Sequence, residues 1–216
     1  MEIIALLALW ALPVLVAVVF HEVAHGYVAY HLGDDTAARR GRLTLNPFAH
    51  VDPFGTVLMP LLLLLLGAPF LFGYAKPVPV NYANLRRPRQ DMVLVALAGP
   101  LTNLLLAAVS ALVKWAIPAF LFRDWMPDFL LKNLAVIALM AEYSVMMNIG
   151  LAVFNLLPIP PLDGGRVATG LLPYEPARFL ASLEPFGMVI VMLLLMAGVL
   201  DKVLGPVAHL LVNFLL

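Results

Sequence analysis

The sequence lacks cysteine altogether and is poor in charge. Without cysteine there are no disulfide bonds and no thiolate ligands, so any bound metal must rest on His, Asp or Glu. Only 12% of the 216 residues are charged, against about 25% in soluble domains. The hydrophobic fraction is 63% and the mean hydropathy +0.97, which predicts an all-α integral membrane protein. The formal net charge of zero argues against a nucleic-acid partner.

Long apolar runs predict a multi-helix transmembrane bundle. The core helices are expected at about 3–31, 92–118 and 133–157, with further apolar segments at 56–72 and 186–216. Within 56–72, Gly67 and Pro69 leave only about a dozen uninterrupted apolar residues, whereas a spanning helix needs roughly 20. A re-entrant segment is therefore expected there. In the last segment, the pairs 201–202 and 205–206 are expected to end a helix and leave 207–216 as a short tail.

The stretch between the first two core helices is rich in turn residues. Arg42–Leu45 is strand-like, and Pro77 and Pro79 forbid a helix and favour an extended chain. We expect a short re-entrant, β-like insertion near 42–80, in which Lys76–Val80 is an edge strand available to pair with another extended chain. The whole chain, 1–216, is expected to form one domain.

The first predicted helix carries the motif His21-Glu22-Val23-Ala24-His25. Histidines four residues apart lie on one face of a helix and can bind one metal ion. A glutamate between them suits a general base that takes a proton from a metal-bound water. Ionisable groups within an apolar span are costly and usually functional. Glu22 is therefore the candidate catalytic residue, and the two histidines are candidate metal ligands.

A catalytic zinc site needs a third protein ligand. The candidates by residue type are His31, His50, His209, Asp52, Glu142 and Asp163. Asp163 is the best placed, because it follows a helix end and lies between a proline run and a glycine pair. His50 and Asp52 are more simply explained as residues that order their loop, and Glu142 as a hydrogen-bonded residue near the outer interface. Asn103 and Asn148 are expected to join helices by hydrogen bonds.

The choice of Asp163 constrains the topology. His25 lies near the C-terminal end of the first span, and Asp163 lies just beyond the C-terminal end of 133–157. Both can reach one ion only if these helices end on the same side of the membrane, so 56–72 must make no net crossing. On that topology, the side of the membrane that carries the proposed metal site has nine basic residues: Arg39, Arg40, Arg42, Lys76, Arg86, Arg87, Arg89, Arg166 and Arg178. The opposite side has three: Lys114, Arg123 and Lys132. The positive-inside rule then places the site toward the cytoplasm.

Three motifs in this order resemble the site-2 protease family of intramembrane zinc metalloproteases. They are 21–25, Ala98-Gly99-Pro100 at a later helix, and 155–166, which reads NLLPIPPLDGGR. The resemblance covers about residues 5–170, and 72–81 looks like the compact branch without PDZ or CBS domains.

This resemblance implies a catalytic mechanism and a class of substrate. His21, His25 and Asp163 would bind one Zn²⁺ ion per chain, Glu22 would be the base, and Asn155 would lie near the site as an oxyanion or substrate contact. The expected partners are a membrane-embedded protein substrate and the lipid bilayer, and a homo-oligomer is left open. The expected location is the plasma membrane, as a multi-pass protein. The alternative is a metal-binding transporter or sensor without hydrolytic activity.

Overall fold

A computed structural model describes residues 2–67, 73–118 and 127–216, with side chains from residue 9. The helices are α1 (Glu2–His31), α2 (Thr36–Arg39), α3 (Met59–Leu65), α4 (Pro88–Ala116), α5 (Asp128–Asn155), α6 (Asp163–Leu171), α7 (Tyr174–Ser182), α8 (Glu184–Met196) and α9 (Val199–Leu215). Short 3₁₀ helices cover Pro47–His50 and Tyr82–Asn84, and a π-helix covers Pro53–Leu58. The predicted all-α membrane protein is confirmed.

Helices α1, α4 and α5 form the core and are the predicted spans. Each is long and apolar enough to cross a membrane. Helix α4 starts four residues earlier than expected, at Pro88, because proline at the first helical position costs no hydrogen bond. Helix α5 is shifted towards the N-terminus at both ends, running from Asp128 to Asn155 rather than over 133–157.

The contacts between these helices fix their directions. Asn103 of α4 bonds the Ala17 carbonyl of α1 at 3.1 Å and Asn148 of α5 at 2.8 Å, and further along the chain Ser110 bonds Ser144 of α5 at 2.8 Å. Near the other end, Val95 of α4 bonds His25. Helix α4 therefore runs antiparallel to both α1 and α5, which are parallel to each other. Both α1 and α5 thus end on the same side, as the predicted metal site requires.

The chain between α2 and α4 leaves the core and returns to its starting point. Residues 53–65 form the π-helix and α3, and residues 68–72 of the predicted re-entrant segment lie outside the described residues. On the return, the Tyr74 N–H donates to the Gly55 carbonyl at 3.0 Å, and the Thr56 hydroxyl donates to the Tyr74 carbonyl at 2.9 Å. Since the two ends lie side by side, this segment makes no net crossing.

The β-like character expected for 42–80 takes the form of extended chain without a ladder. Residues 42–46 and 73–81 belong to no helix, and the described residues contain no strand. Arg42 joins the two stretches by donating to the carbonyls of Lys76 and Pro77, and the Lys76 N–H donates to the carbonyl of His50 in the nearby 3₁₀ helix.

The C-terminal region departs from expectation. Helix α9 continues through Asp201–Lys202 and Gly205–Pro206, so the predicted end of the helix there is wrong. The break falls at Gly198 instead, whose φ of +64° is the left-handed conformation that favours glycine. Helix α9 packs against α4 and α5 around Val145 and Ile149, and this burial outweighs the weak helix propensity of Gly205 and Pro206. Helices α7 and α8 meet at 69° and count as a fourth crossing only if taken as one broken span.

Candidate active site

The three predicted metal ligands converge at the C-terminal half of α1. The Nε2 atoms of His21 and His25 are 3.0 Å apart, and each is close to Asp163 Oδ2, at 3.2 and 3.3 Å respectively. Asp163 is the first residue of α6, which folds back toward α1 after the end of α5. All three side chains are buried. The structure thus brings together residues that are 138 and 142 positions apart in the sequence.

Glycine allows the elements around this cluster to approach closely. Gly99 of α4 faces the imidazoles, and a Cβ there would lie 2.7 Å from His21 Nε2, closer than real Cβ contacts. Gly164, directly after Asp163, packs against the backbone carbonyls of Leu156 and Leu157, where no side chain fits. The glycines of the Ala98-Gly99-Pro100 and Asp163-Gly164-Gly165 motifs therefore allow the backbone to approach the metal ligands closely.

The tautomers of the two imidazoles leave acceptor atoms pointing into the cluster. His21 Nδ1 lies 2.6 Å from Asn103 Oδ1, and His25 Nδ1 lies 2.7 Å from the Val95 carbonyl. Both partners are acceptors, so both Nδ1 atoms carry the proton and both Nε2 atoms present lone pairs. A third acceptor, Asp163 Oδ2, is buried with no hydrogen-bond donor in the described part of the chain. Three acceptors facing each other repel unless a cation lies between them, so the residues fit a metal ion.

The charge state of Asp163 agrees with this interpretation. The ordinary pKa of an Asp carboxyl is about 4, and a cation bound between the three ligands would lower it further, as an opposite charge does for any carboxyl. The group is therefore an anion. Two imidazoles and one carboxylate form the three-ligand set of a catalytic zinc site that leaves one position open.

Glu22 lies beside the ligands and is held by the extended segment 74–81. Its Oε2 accepts a hydrogen bond of 2.8 Å from the Val78 N–H, and its Oε1 makes no hydrogen bond in the part of the chain that the structure describes. Pro77 and Pro79 have no N–H, and the Lys76 N–H donates to His50. The stretch 76–79 therefore has no N–H left for a substrate, so pairing along the expected edge strand Lys76–Val80 would use its carbonyl groups and the Val80 N–H.

A cavity of about 280 Å³ opens onto the cluster. Its lining includes Glu22, Tyr82, Asn155 and Arg166. The Asn155 amide already donates to the Leu151 carbonyl at 3.0 Å and has a second N–H. The Arg166 guanidinium lies 5.4 Å from the centre of the Tyr82 ring and 3.6 Å from Glu184. Burial raises the pKa of the Tyr82 hydroxyl and outweighs the opposing charge of Arg166, so Tyr82 is a neutral donor at the cavity wall.

Comparison with known proteins identifies the family. The sequence profile of Peptidase family M50 matches residues 130–197. The chain is 36% identical over 210 residues to the candidate zinc metalloprotease YwhC of Bacillus subtilis, an alignment that covers 95% of this chain and 88% of the relative. The chain belongs to peptidase family M50. The resemblance to site-2 proteases is thereby confirmed, and membership makes the chain a metalloprotease.

Two further relatives carry the same kind of name. The chain is 31% identical over 188 residues to the candidate zinc metalloprotease Rip2 of Mycolicibacterium smegmatis, covering 87% of this chain and 66% of the relative. It is 31% identical over 145 residues to the candidate zinc metalloprotease MJ0611 of Methanocaldococcus jannaschii, an alignment that covers 67% of this chain and 65% of the relative. No solved structure matches the chain.

The other candidate ligands of this M50 peptidase lie outside the cluster. His50 bonds the Thr44 carbonyl at 2.9 Å, and Asp52 accepts from the N–H groups of Phe54 and Gly55, so both order the loop as expected. His31 packs on Tyr27 with ring centres 4.5 Å apart. Glu142 pairs with Lys114 of α4 at 3.0 Å. His209 is exposed on α9.

Asn103 has a connection that the sequence did not reveal. Its amide donates to the Ala17 carbonyl and, at 2.8 Å, to Asn148 Oδ1, which joins the helices as predicted. Its remaining oxygen accepts from His21. Asn148 is fixed in turn by its bond to the Ser144 carbonyl. The only sequence signal for this contact is the distance of four residues between Asn103 and Gly99, which places both on the same face of α4.

Proposed function

We propose that this M50 peptidase is an intramembrane zinc metalloprotease that hydrolyses peptide bonds within or near transmembrane segments of membrane proteins. One observation carries the proposal: a buried His-His-Asp cluster lies beside the carboxylate of Glu22 on a helix that is apolar enough to span a membrane. We propose one zinc ion per chain, since the described residues contain a single such cluster.

The roles of the residues follow from their positions. His21, His25 and Asp163 would hold the zinc ion, which when bound supplies Lewis acidity and lowers the pKa of a coordinated water toward about 7. Glu22 takes the proton at Oε1 while the Val78 N–H fixes Oε2, and then returns the proton to the leaving amine. The second N–H of Asn155 is the proposed donor to the substrate carbonyl, on the basis of its place in the cavity wall.

An apolar groove supports a membrane-embedded substrate. A second cavity of about 260 Å³ lies between α1, the segment 47–75 and Leu151 of α5, and its walls include Val14, Leu15 and Val18. It shares Tyr74 and Ala75 with the cavity at the metal cluster. An apolar segment in this groove would therefore lie directly beside the cavity at the metal cluster.

The proposed orientation places the site at the cytoplasmic side of the plasma membrane. The segments 32–52, 75–87 and 158–183 adjoin the ends of α1 and α5, and they carry most of the basic residues. Basic loops are retained in the cytoplasm. Water would reach the cluster from that side.

The decisive experiment compares the purified full-length chain with Glu22→Gln on a fluorescent transmembrane substrate in liposomes. We expect Glu22→Gln to keep its zinc and to lose cleavage by a factor of about 10² to 10⁴, the usual contribution of a general base. Glu175→Gln, on the exposed surface of α7, is the matched control and should cleave normally. Removing zinc with a chelator should abolish cleavage in both wild type and control.

The same experiment separates the protease from a metal transporter or sensor. A pure binding site needs no carboxylate beside its ligands. If Glu22→Gln cleaves at the wild-type rate, or if no variant cleaves while zinc crosses the liposome membrane, the proposal is wrong.

A further inference from the structure

A second buried carboxylate lies outside the metal cluster. Asp34, three residues after the end of α1, is fully inaccessible to solvent. Its Oδ2 accepts from the Asn81 N–H at 2.7 Å, and its Oδ1 accepts from the Asn84 amide at 2.9 Å. Oδ1 also accepts from the backbone N–H of Thr36 at 3.2 Å and from its hydroxyl. All four donors are neutral, and Asp34 has no salt bridge among the described residues.

These bonds join α1 to the segment that holds Glu22. Asn81 lies three residues beyond Val78, whose N–H binds the Glu22 carboxylate. The turn that follows is fixed to the same helix end, because the Arg86 N–H donates to the Leu32 carbonyl at 3.1 Å. Val78 itself is buried and lies against Gly26 of α1. The segment is thus attached to α1 at Glu22 and again just past its C-terminus.

We propose that Asp34 is a positioning residue for Glu22. Helix α1, Asp34, Asn81 and Val78 form a closed ring through the hydrogen bonds Asp34–Asn81 and Val78–Glu22, and this ring holds the Glu22 carboxylate in one orientation. A buried anion without a cation partner is costly, and four donors to one carboxyl offset that cost only while the segment stays in place. Asp34 contacts neither the metal ligands nor the cavity.

The catalytic part of this inference rests on the proposed function. In Asp34→Asn an NH₂ group replaces one carboxylate oxygen. This group cannot accept a hydrogen bond, so either the bond from the Asn81 N–H or the bonds from Thr36 and Asn84 are lost, and the ring is weakened on that side. A misplacement of about 1 Å at a catalytic group costs up to about 100-fold in rate. We expect kcat to fall about 10- to 100-fold, with KM within about twofold and zinc content unchanged.

The matched control is the neighbouring residue. Asp35 is partly exposed and pairs with Arg39 at 2.7 Å on the solvent side of α2. Asp35→Asn removes the same charge one position away, without touching the ring. We expect its kcat to equal that of the wild type.

A labelling experiment tests the ring without using activity. The chain has no cysteine, so Val78→Cys introduces a single thiol into the segment while keeping the backbone N–H. We expect maleimide to label this thiol about tenfold faster or more when Asp34→Asn is added, because the segment detaches from α1. A thiol at the buried position of Ala107→Cys, between α4 and α5, should label at an unchanged rate.

Each result has a defined meaning. Faster labelling at 78 but not at 107, together with the kcat loss, supports the proposal. Equal acceleration at both positions would show that Asp34 holds the whole fold, and this would overturn it, as would unchanged labelling at 78 or an unchanged kcat. If labelling behaves as expected but the wild type cleaves no substrate, the ring stands and the proposed function fails.

Discussion

The imidazole of His21 depends on an amide that is itself fixed twice. The Asn103 oxygen can accept from His21 only because both N–H groups of the same amide are committed to Ala17 and Asn148. A flipped amide would present N–H to His21 and push the proton onto Nε2, where a metal ion must bind. Hydrogen bonds between helices here determine which nitrogen is available for coordination.

We therefore expect Asn103→Leu to weaken zinc binding by about 10- to 100-fold, the usual effect of removing a hydrogen-bond partner of a metal-bound histidine. Zinc affinity is measured by competition with a chromophoric chelator. Ser110→Ala is the control, since it removes an interhelical bond of the same helix pair, to Ser144, while Asn148 keeps its bonds to the Ser144 carbonyl and to Asn103. Equal affinities in the two variants would contradict this role of Asn103.

Asp34 also makes stability depend on pH. Burial raises the pKa of its carboxyl, but the hydrogen bonds from Thr36, Asn81 and Asn84 outweigh burial and lower it. A lowered pKa in the folded state stabilises the protein above the unfolded value of about 4, and this contribution is lost as the pH falls through the folded value. The neighbouring ionised groups, Asp35 and Arg39, pair with each other.

The stability prediction follows directly. The wild type should have a higher melting temperature than Asp34→Asn at neutral pH, and the difference should shrink as the pH falls below about 4. Thermal unfolding in detergent, followed at several pH values, measures this. A difference that stays constant down to pH 3 would mean that the Asp34 charge does not stabilise the fold.

The sequence predicted some of these residues and not others, for physical reasons. His21, Glu22 and His25 were evident because ionisable groups in an apolar helix are costly. Asp163 could be inferred from the position of helix ends. Asp34 was hidden because it lies in a turn rich in charged residues, beside the partly exposed Asp35, and nothing local tells which of the two is buried.

At the level of single elements, α4 is shaped by what it lies against. Glycine inside a helix costs about 1 kcal/mol relative to alanine, so Gly99 is a local disadvantage. It is tolerated because a Cβ at this position would occupy the space of the two imidazoles. Gly99 is thus accommodated within a continuous helix of 29 residues, which also contains Pro100.

For Gly99→Ala, helix propensity and the contacts with the histidines predict opposite effects, and experiment can separate them. Helix propensity alone predicts a slightly more stable protein, whereas the contacts predict displaced histidines. We expect zinc binding and cleavage to fall at least about tenfold, with the protein still folded. Gly150→Ala on α5, where a Cβ meets nothing within 4 Å, should leave both unchanged. Normal zinc content in Gly99→Ala would show that α4 can move away at little cost.

Helix α9 shows where local signals fail. Asp201, Lys202, Gly205 and Pro206 all predict a helix end, yet the helix continues. Its apolar side chains pack on α4 and α5, and this packing between elements distant in sequence is not visible in a local pattern. The same limit applies to the π-helix at Pro53–Leu58, whose geometry is set by contacts with the returning chain at Gly73 and Tyr74.

For the whole molecule, the decisive feature is that the segment 53–74 starts and ends at the same place. Because of this, α1 and α5 are parallel and the metal ligands meet. The sequence predicted this from two independent arguments, the short apolar run and the position of Asp163. The direct contacts at Gly55 and Tyr74 now account for it.

Cysteine labelling in sealed vesicles checks this topology. Thiols introduced by Leu45→Cys and Val80→Cys lie before and after the segment, and we expect an impermeant maleimide to label both from the same side. Phe129→Cys, exposed at the start of α5, should be labelled from the opposite side. Labelling of positions 45 and 80 from different sides would contradict the fold described above.

The two prolines of the stretch 76–79 have a consequence for substrate choice. In an intact helix all backbone N–H groups except the first four are bonded internally. Carbonyl groups at 76–79 can therefore bind only a chain whose own helix has already opened, or the first turn of one that has not. On the proposed function, the enzyme would thus respond to whether the helix of its substrate has opened. Helices that fray easily, near their N-termini or at glycine and proline, would be cut first.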